Sequence, residues 1–281
     1  MIFQIRNKKF DLNKKTLIMA ILNVTPDSFS DGGSFNKIDK AINHVEKLIE
    51  SGADIIDIGA ESTRPGAISI SAEEEIARLD LILKALKNCP VPISVDTYKS
   101  KTAEFALNNG VDLINDIHGL QNEIEPLAMA KVAKKFNAPV VSMHNQKISI
   151  DVIDDIKKFF RRTLKIADEV GLSREKIIFD PGIGFNKTQD QNLEILRRLE
   201  ELKIIDGVEY PLLLGVSRKS VINYALKLPI DQRDEATGAI CVLAISKGVN
   251  IVRVHNVEMI NKMCKMTDVL IKCRSITDKN Q

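Results

Sequence analysis

The sequence predicts a (β/α)₈ barrel, the TIM barrel fold, preceded by a short N-terminal β-hairpin. Short apolar runs rich in Ile, Val and Leu recur along the chain, stretches of helical periodicity lie between them, and the runs number eight. Consecutive apolar residues are typical of parallel strands that are covered on both faces. Eight such strands alternating with helices in a chain of 281 residues match this barrel.

The predicted elements follow one another without a linker or a low-complexity stretch. Residues 1–10 alternate polar and apolar side chains around Asn7, which predicts the hairpin, a candidate plug for the bottom of the barrel. Ser71 and Glu74 have the spacing of a capping box that opens the second helix. We therefore expect one domain spanning residues 1–281. The predicted strands span residues 17–23, 54–59, 92–96, 112–116, 139–143, 176–180, 211–215 and 250–255.

An open, doubly wound sheet shares the same alternation of strands and helices. That fold usually carries a glycine-rich dinucleotide-binding turn after its first strand. No such turn follows the first predicted strand in this sequence. The barrel is therefore the favoured prediction, with the open sheet as its alternative.

The charge balance and the cysteines limit the classes of partner and compartment. The 40 basic and 38 acidic side chains leave a formal charge of +2, so nucleic acid is not an expected partner. The four cysteines are far apart and form no CxxC pair, so a disulfide or zinc framework is not expected and a reducing cytoplasm fits. No apolar run approaches the roughly 18 residues of a membrane span, which predicts no membrane association.

Polar and charged residues follow nearly every predicted strand. In barrels of this kind the chemistry lies on the loops at the carboxyl ends of the strands. We therefore expect one site at that rim, built from carboxylates, amides and cations. The residues concerned are 23–33, 61–66, 96–97, 115–116, 143–145, 180–185, 217–220 and 253–255.

Two basic residues share the inward face of the eighth strand. Arg253 and His255 are two positions apart, and Val254 between them points the other way. Buried cations require an anionic partner. A phosphate-type ligand suits the planar fork of arginine and is favoured here, whereas a structural ion-pair network is the alternative.

Two further sets of oxygen-bearing side chains are candidates for ligand binding. Asn23 and Asp31, on the first loop, offer oxygen ligands of the kind that Mg²⁺ prefers. Asp57 lies inside a strand and is expected to be a buried support that orients a neighbour. A deeper set suits the adjacent N–H donors of a heterocycle edge. Its members are Asp96, Asn115 and Asp180.

Five of these strings, in this order on these strands, resemble the signatures of the dihydropteroate synthase family. They are residues 23–33, 61–66, 180–185, 217–220 and 253–255, so the resemblance extends over nearly the whole chain. The resemblance implies that a dihydropterin pyrophosphate and p-aminobenzoate are condensed to dihydropteroate and pyrophosphate with Mg²⁺. It also implies a homodimer and competition of sulfonamides with p-aminobenzoate.

The resemblance also implies a role for each matching residue. The pterin is expected to contact Asp96, Asn115, Asp180, Lys219 and Arg253. The pyrophosphate is expected to contact Asn23, Thr63, Arg64, Arg253 and His255, with Mg²⁺ at Asn23. The p-aminobenzoate pocket is expected to comprise Phe29, Pro65, Phe185 and Ser220. The residues expected to act in catalysis are Asp31, Arg64, Lys219, Arg253 and His255.

Two other functions fit part of this pattern. A pterin-barrel methyltransferase acting on methyltetrahydrofolate would share the pterin-binding carboxylates, but it needs no pyrophosphate site, which Arg253 and His255 indicate. A non-catalytic pterin-binding paralogue is the second alternative. The intact first two loops argue against it.

Overall fold

The computed structural model describes residues 1–24, 34–61 and 68–272 and confirms the predicted barrel. Its strands are β1 Ile2–Ile5, β2 Lys8–Asp11, β3 Leu17–Asn23, β4 Ile55–Gly59, β5 Ile93–Asp96, β6 Leu113–Asp116, β7 Val140–Met143, β8 Ile177–Asp180, β9 Ile204–Ile205, β10 Val208–Glu209, β11 Leu213–Leu214 and β12 Ile251–Val254. Its α-helices are α1 Ser34–Glu50, α2 Ala72–Ala85, α3 Ser100–Asn108, α4 Ala128–Phe136, α5 Val152–Val170, α6 Gln189–Arg197, α7 Ser220–Leu226, α8 Asp234–Ser246 and α9 Val257–Ile271.

Eight parallel strands form the central sheet, in the order β11-β12-β3-β4-β5-β6-β7-β8. The two ends of that order also meet. Phe179 of β8 pairs in parallel with Leu212, and its N–H donates to the carbonyl of Pro211 at 2.9 Å. The sheet therefore closes on itself, which an open doubly wound sheet does not do.

Side chains alternate between the barrel interior and the surrounding helices, as the period of two along a strand requires. In β4, Ile56 and Ile58 belong to the apolar layer that packs against the helices. Ile55 belongs to a separate apolar cluster inside the barrel, and Asp57 contacts polar residues there. The lower part of the interior is thus apolar, and the part near the carboxyl strand ends is polar.

The N-terminal hairpin closes the bottom of the barrel, as the sequence predicts. β1 pairs antiparallel with β2, and the hairpin is held to the barrel wall by Arg6, whose Nε donates to Asp112 Oδ1 at 2.6 Å. The interior cluster joins the hairpin to the barrel strands. Its buried members are Phe3, Ile5, Leu12, Leu17, Met19, Ile55, Leu113, Val141, Ile178, Leu213 and Ile251.

The predicted capping box at the start of α2 forms only in half. Ser71 Oγ accepts a hydrogen bond from the Glu74 N–H at 3.1 Å, as an N-cap residue does. The Glu74 carboxylate instead pairs with Arg78, four residues further on, at 2.6 Å. The nearby cation is a stronger partner for the carboxylate than the N-cap amide, so the reciprocal bond is replaced.

Two further features concern the cysteines and the helices. Cys89, Cys241 and Cys264 are buried free thiols, and Cys273 lies outside the described residues. Among the helices that the structure describes, none combines the length and the apolar character needed to cross a bilayer.

Candidate active site

An ion-pair network occupies the barrel mouth, the rim formed by the carboxyl ends of the eight strands. Arg253 of β12 donates from Nε to Asp57 Oδ2 and from Nη2 to Asp96 Oδ2, both at 2.6 Å. Asp57 Oδ2 also accepts from Asn115 Nδ2 at 3.0 Å. Four strands therefore contribute to one network in which two buried carboxylates surround one cation. The interpretation of Asp57 as a buried support agrees with these contacts.

The residues that face the inward Arg253 are the members of this network. The guanidinium has carboxylate partners within the chain, so the ion-pair alternative raised by the sequence is present. The carboxylates of Asp57 and Asp96 lie beside the guanidinium, and carboxylate oxygens suit N–H donors of a ligand.

Asp180 is the last residue of β8, and Lys219 lies in the loop that follows β11. Asp180 Oδ1 accepts from the Gly182 N–H at 2.7 Å, which fixes the carboxylate at the start of its loop. Lys219 Nζ donates to the Ile183 carbonyl at 2.6 Å and lies 4.8 Å from the centre of the Phe185 ring. The two loops are thus joined through the lysine.

Two glycines leave space between these side chains. A Cβ atom at Gly215 would lie 3.7 Å from Asp180 Oδ2 and 3.8 Å from Lys219 Nζ. A Cβ atom at Gly59 would lie 3.8 Å from Asp96 Oδ2. Larger residues at these positions would fill the mouth where the predicted pterin-binding groups meet.

Burial shifts the protonation equilibria of these groups. Burial raises the pKa of Asp96 to about 7, with Arg253 opposing and Asp57 adding to the effect. Burial also raises the pKa of Asp180, against the attraction of Lys219. The pKa of Lys219 falls to about 8 because burial outweighs the nearby Asp180. Groups that titrate near neutral pH are typical of functional sites.

Buried acceptor atoms in the network lack partners. Asp57 Oδ1 and Asp96 Oδ1 are buried and accept no hydrogen bond from any residue that the structure describes. A buried oxygen of this kind is unfavourable unless a donor reaches it. The mouth therefore offers acceptor sites to a ligand that carries N–H groups.

His255 and Ser220 lie further out on the same rim. The Nδ1 atom of His255 and the Oγ atom of Ser217 are 2.9 Å apart and share a hydrogen bond, which orients the imidazole. Ser220 is exposed, is the first residue of α7, and accepts from Gln189 Nε2 at 3.1 Å. Both residues border the mouth, at the ends of β12 and of the loop after β11.

Lys187 is a half-buried lysine that the sequence analysis did not single out. Its Nζ donates to the carbonyls of His144, Gly182 and Phe185 at 3.1, 3.0 and 3.0 Å. Burial lowers its pKa to about 7. The lysine thereby fixes the loop that follows Asp180. The only signal in the sequence is its position two residues after Phe185, and a lysine is by default a surface residue.

Five of the predicted site residues lie outside the described residues. They are Phe29, Asp31, Thr63, Arg64 and Pro65. Their roles stay predictions. The described site residues are brought together around the mouth by the strand ends, as expected from the topology. They are Asn23, Asp96, Asn115, Asp180, Phe185, Lys219, Ser220, Arg253 and His255.

Comparison with known proteins assigns this architecture to a family. The model of the pterin binding enzyme family matches residues 19–255. The dihydropteroate synthase of Clostridium beijerinckii is 48% identical over 273 residues, which are 96% of this chain and 99% of that relative. The dihydropteroate synthase of Bacillus subtilis is 47% identical over 261 residues, which are 92% of this chain and 90% of that relative.

Solved structures agree. The dihydropteroate synthase of Clostridium difficile, crystallised in the presence of pteroic acid, is 47% identical with a TM-score of 0.89, covering 94% of this chain and 100% of its own. The Yersinia pestis dihydropteroate synthase, in complex with a sulfonamide drug, is 36% identical with a TM-score of 0.88, covering 97% of this chain and 100% of its own. The chain belongs to the pterin binding enzyme family and, within it, to the dihydropteroate synthases.

Proposed function

We propose that this chain is the transferase that condenses 6-hydroxymethyl-7,8-dihydropterin pyrophosphate with p-aminobenzoate to give 7,8-dihydropteroate and pyrophosphate in folate biosynthesis. The observation that carries the proposal is the buried Oδ1 of Asp96, beside Arg253 in the mouth of the barrel, which has no hydrogen-bond partner among the described residues. A pterin edge carries the adjacent N–H donors that such acceptors need. The relatives crystallised with pteroic acid or a sulfonamide support the same substrates.

The pterin is bound by the inner part of the mouth. Asn115 uses its amide nitrogen to donate to Asp57, so its amide oxygen is left to accept from the ligand. Asp96 and Asp180 supply charged acceptors on either side. Lys219, already linked to the loop of Asp180 through Ile183, supplies a donor for the pterin carbonyl or a ring nitrogen.

The reaction breaks the C–O bond between the pterin methylene and pyrophosphate, whose oxygen keeps the electron pair. The amine nitrogen of p-aminobenzoate forms the new C–N bond and loses a proton to a pyrophosphate oxygen or water. No nucleophile from the protein is needed, and the protein aligns the two substrates. The positive charge of Arg253 and Arg64 and the hydrogen-bonding imidazole of His255 favour the departing pyrophosphate. Asp31 is proposed to favour the cationic character that develops at the methylene.

We also propose that Mg²⁺ is held at Asn23. Asn23 is the exposed last residue of β3, and its Oδ1 lies 3.7 Å from the position that a Cβ at Gly59 would occupy, so the amide oxygen lies at the rim beside the end of β4. One amide oxygen suits Mg²⁺, which keeps several waters and is completed by substrate phosphates. When bound, the ion neutralises charge on the pyrophosphate.

The p-aminobenzoate pocket is proposed to lie between Phe185 and Ser220. Lys219 lies against the Phe185 ring, and Ser220 follows Lys219 directly, so the two sides of this pocket are joined by one residue. Phe29 and Pro65 are proposed to complete the pocket, and sulfonamides are proposed to compete for it.

We propose a homodimer in the cytoplasm. On α9, Ile260 and Cys264 are buried within the chain, whereas Met266 and Leu270 remain 58% and 70% exposed. An apolar surface of this kind is suited to association with a second copy. The three buried free thiols fit a reducing compartment.

The test is direct. Purified chain is incubated with dihydropterin pyrophosphate, p-aminobenzoate and Mg²⁺, and dihydropteroate is measured by chromatography. We expect product only when all three are present, and inhibition by a sulfonamide that rising p-aminobenzoate relieves. Absence of dihydropteroate, with the pterin still bound, would instead favour the non-catalytic paralogue. Methyl transfer from methyltetrahydrofolate to a corrinoid protein would favour the methyltransferase.

A further inference from the structure

A second concave surface lies outside the barrel, beside α5. It is a cleft of about 420 Å³, within the range of small-molecule sites. Of its lining residues only His144 directly follows a barrel strand, β7, and no residue of the ion-pair network in the mouth lines it. Five lining side chains are basic and define what we call the basic cleft. They are Lys147, Lys158, Arg161, Arg162 and Lys165.

Four of these cations form one stripe along α5. Lys158, Arg161, Arg162 and Lys165 are spaced i, i+3, i+4 and i+7, which places them on the same face of the helix. The stripe extends about 10 Å along the helix axis. Like charges at these spacings repel each other and destabilise a helix that has no anion beside it. The stripe therefore favours an anion at this face.

The described residues supply little negative charge to balance the basic stripe on α5. Asp155, the carboxylate that lines the cleft, is occupied by Ser149, whose N–H and Oγ donate to its Oδ2 at 2.5 and 2.9 Å. Arg161 pairs with Asp206 at 2.8 Å. The remaining cations make no ion pair or hydrogen bond with the residues described. They are Lys147, Lys158, Arg162 and Lys165.

The buried wall of the cleft carries unpartnered polar atoms as well. His144 is only 1% exposed, and its Nδ1 has no hydrogen-bond partner in the described part of the chain. Gln121 donates its amide nitrogen to the Phe159 carbonyl and to Thr163 Oγ1, both at 3.0 Å, and its buried Oε1 is likewise without a partner. Burial lowers the pKa of His144 to about 3, so the imidazole is neutral and offers one donor and one acceptor.

We propose that the basic cleft is a second ligand site, which binds a phosphorylated small molecule with at least two phosphate groups. The phosphates contact the stripe on α5 and Lys147, and a polar group of the ligand reaches His144 and Gln121. Lysine and arginine together suit phosphate, arginine by its planar fork and lysine as a point charge. The site is separate from the condensation reaction and does not depend on it.

Titration calorimetry tests the site with inorganic tripolyphosphate as the probe. The wild-type chain is compared with the double variant K158Q/R162Q, which removes two unpaired cations from the stripe. The matched control is K131Q/K134Q, which makes the same change of charge at two exposed lysines of α4 that do not line the cleft. We expect K158Q/R162Q to lose one equivalent of binding, or to bind it at least about tenfold more weakly, while the control matches wild type.

Adenosine triphosphate serves as a second probe. Tighter binding than tripolyphosphate at the same site would identify a nucleotide as the ligand, and equal binding would identify the polyphosphate chain alone. The proposal is overturned if the three proteins have equal stoichiometry and affinity, or if the control loses binding as the variant does. Dihydropteroate formation and the unfolding midpoint are measured in all three proteins. Unchanged values in K158Q/R162Q separate loss of this site from misfolding and from failure of the proposed reaction.

Discussion

The substitution Asp57→Asn tests the central network, because Asp57 contacts both Arg253 and Asn115 from a fully buried position. It keeps the shape of the side chain and removes its charge. The 2.6 Å bond from Arg253 Nε is charge-assisted, and such bonds contribute about 1.5–3 kcal/mol. Arg253 keeps its second partner, Asp96. We therefore expect the free energy of unfolding to fall by about 2 kcal/mol, less than the ~3–5 kcal/mol of a broken isolated pair.

The same substitution changes the pH dependence of pterin binding. Burial raises the pKa of Asp96 to about 7, and the charge of Asp57 contributes to that rise. A protonated Asp96 is a poorer acceptor, so wild-type affinity for the pterin falls as the pH drops through about 7. Without the charge of Asp57, the pKa of Asp96 is lower. In the variant, the affinity for the pterin therefore falls at a lower pH than in wild type. Its affinity at alkaline pH is also weaker, because Arg253 has lost one of the two carboxylates that align it.

The stability measurement must be made where the charge of Asp96 is fixed. A carboxyl whose pKa is raised in the folded state contributes stability at low pH that is lost as the pH rises from its ordinary value of 3.8 through about 7. Unfolding by guanidinium is therefore followed well above pH 7. The pterin affinity is followed by calorimetry from acid to alkaline pH.

Asp116→Asn is the matched control. Asp116 is also buried, and its carboxylate accepts from the backbone N–H groups of His118 and Leu120, both at 2.8 Å. We expect a loss of stability of similar size with no displacement of the pH profile of pterin binding. If Asp57→Asn leaves both the pH profile and the affinity as in wild type, Asp57 does not position Arg253 and the proposed coupling is wrong.

Three further outcomes are expected. Asp180→Asn should weaken pterin binding by about 1.5–3 kcal/mol, since a charged acceptor becomes a partial donor; unchanged affinity in calorimetry would remove Asp180 from the site. Phe3→Ala should lower the free energy of unfolding by about 3–5 kcal/mol, because Phe3 is buried in the plug, and turnover of the folded variant should be unaffected; a loss of turnover while folded would link the plug to the mouth. Turnover should stop in excess EDTA and return with Mg²⁺; full turnover without metal would exclude the ion from the reaction.

The sequence predicted the barrel well because its strands are buried on both faces. Each predicted strand overlaps an observed one, and no strand end differs from its prediction by more than two residues. The rim residues followed from this, since the topology alone brings the carboxyl ends of parallel strands to one edge.

The sequence could not predict which partners the side chains select. The pairing of Arg253 with Asp57 and Asp96 joins residues that are 196 and 157 positions apart, and it depends on the register of neighbouring strands. Lys187 became recognisable only when three carbonyls were seen to converge on its ammonium. The capping box predicted a hydrogen bond from the Ser71 N–H to the Glu74 carboxylate. That carboxylate pairs with Arg78 instead, a partner that capping rules do not consider.

The plug at the bottom of the barrel has a consequence for synthesis of the chain. The hairpin is made before the barrel strands, yet the cluster that receives Phe3 includes Ile251, and β3 pairs with β12, more than 200 residues further along the chain. Thr16 is also bonded, through its N–H and its hydroxyl, to Asp268 of α9 at 2.7 Å. Contacts so distant in sequence form slowly, and until they do the pairing edge of β3 is open to other chains. Ribosome-bound chains that stop before residue 251 should therefore depend on chaperones, whereas full-length chains can bury that edge themselves.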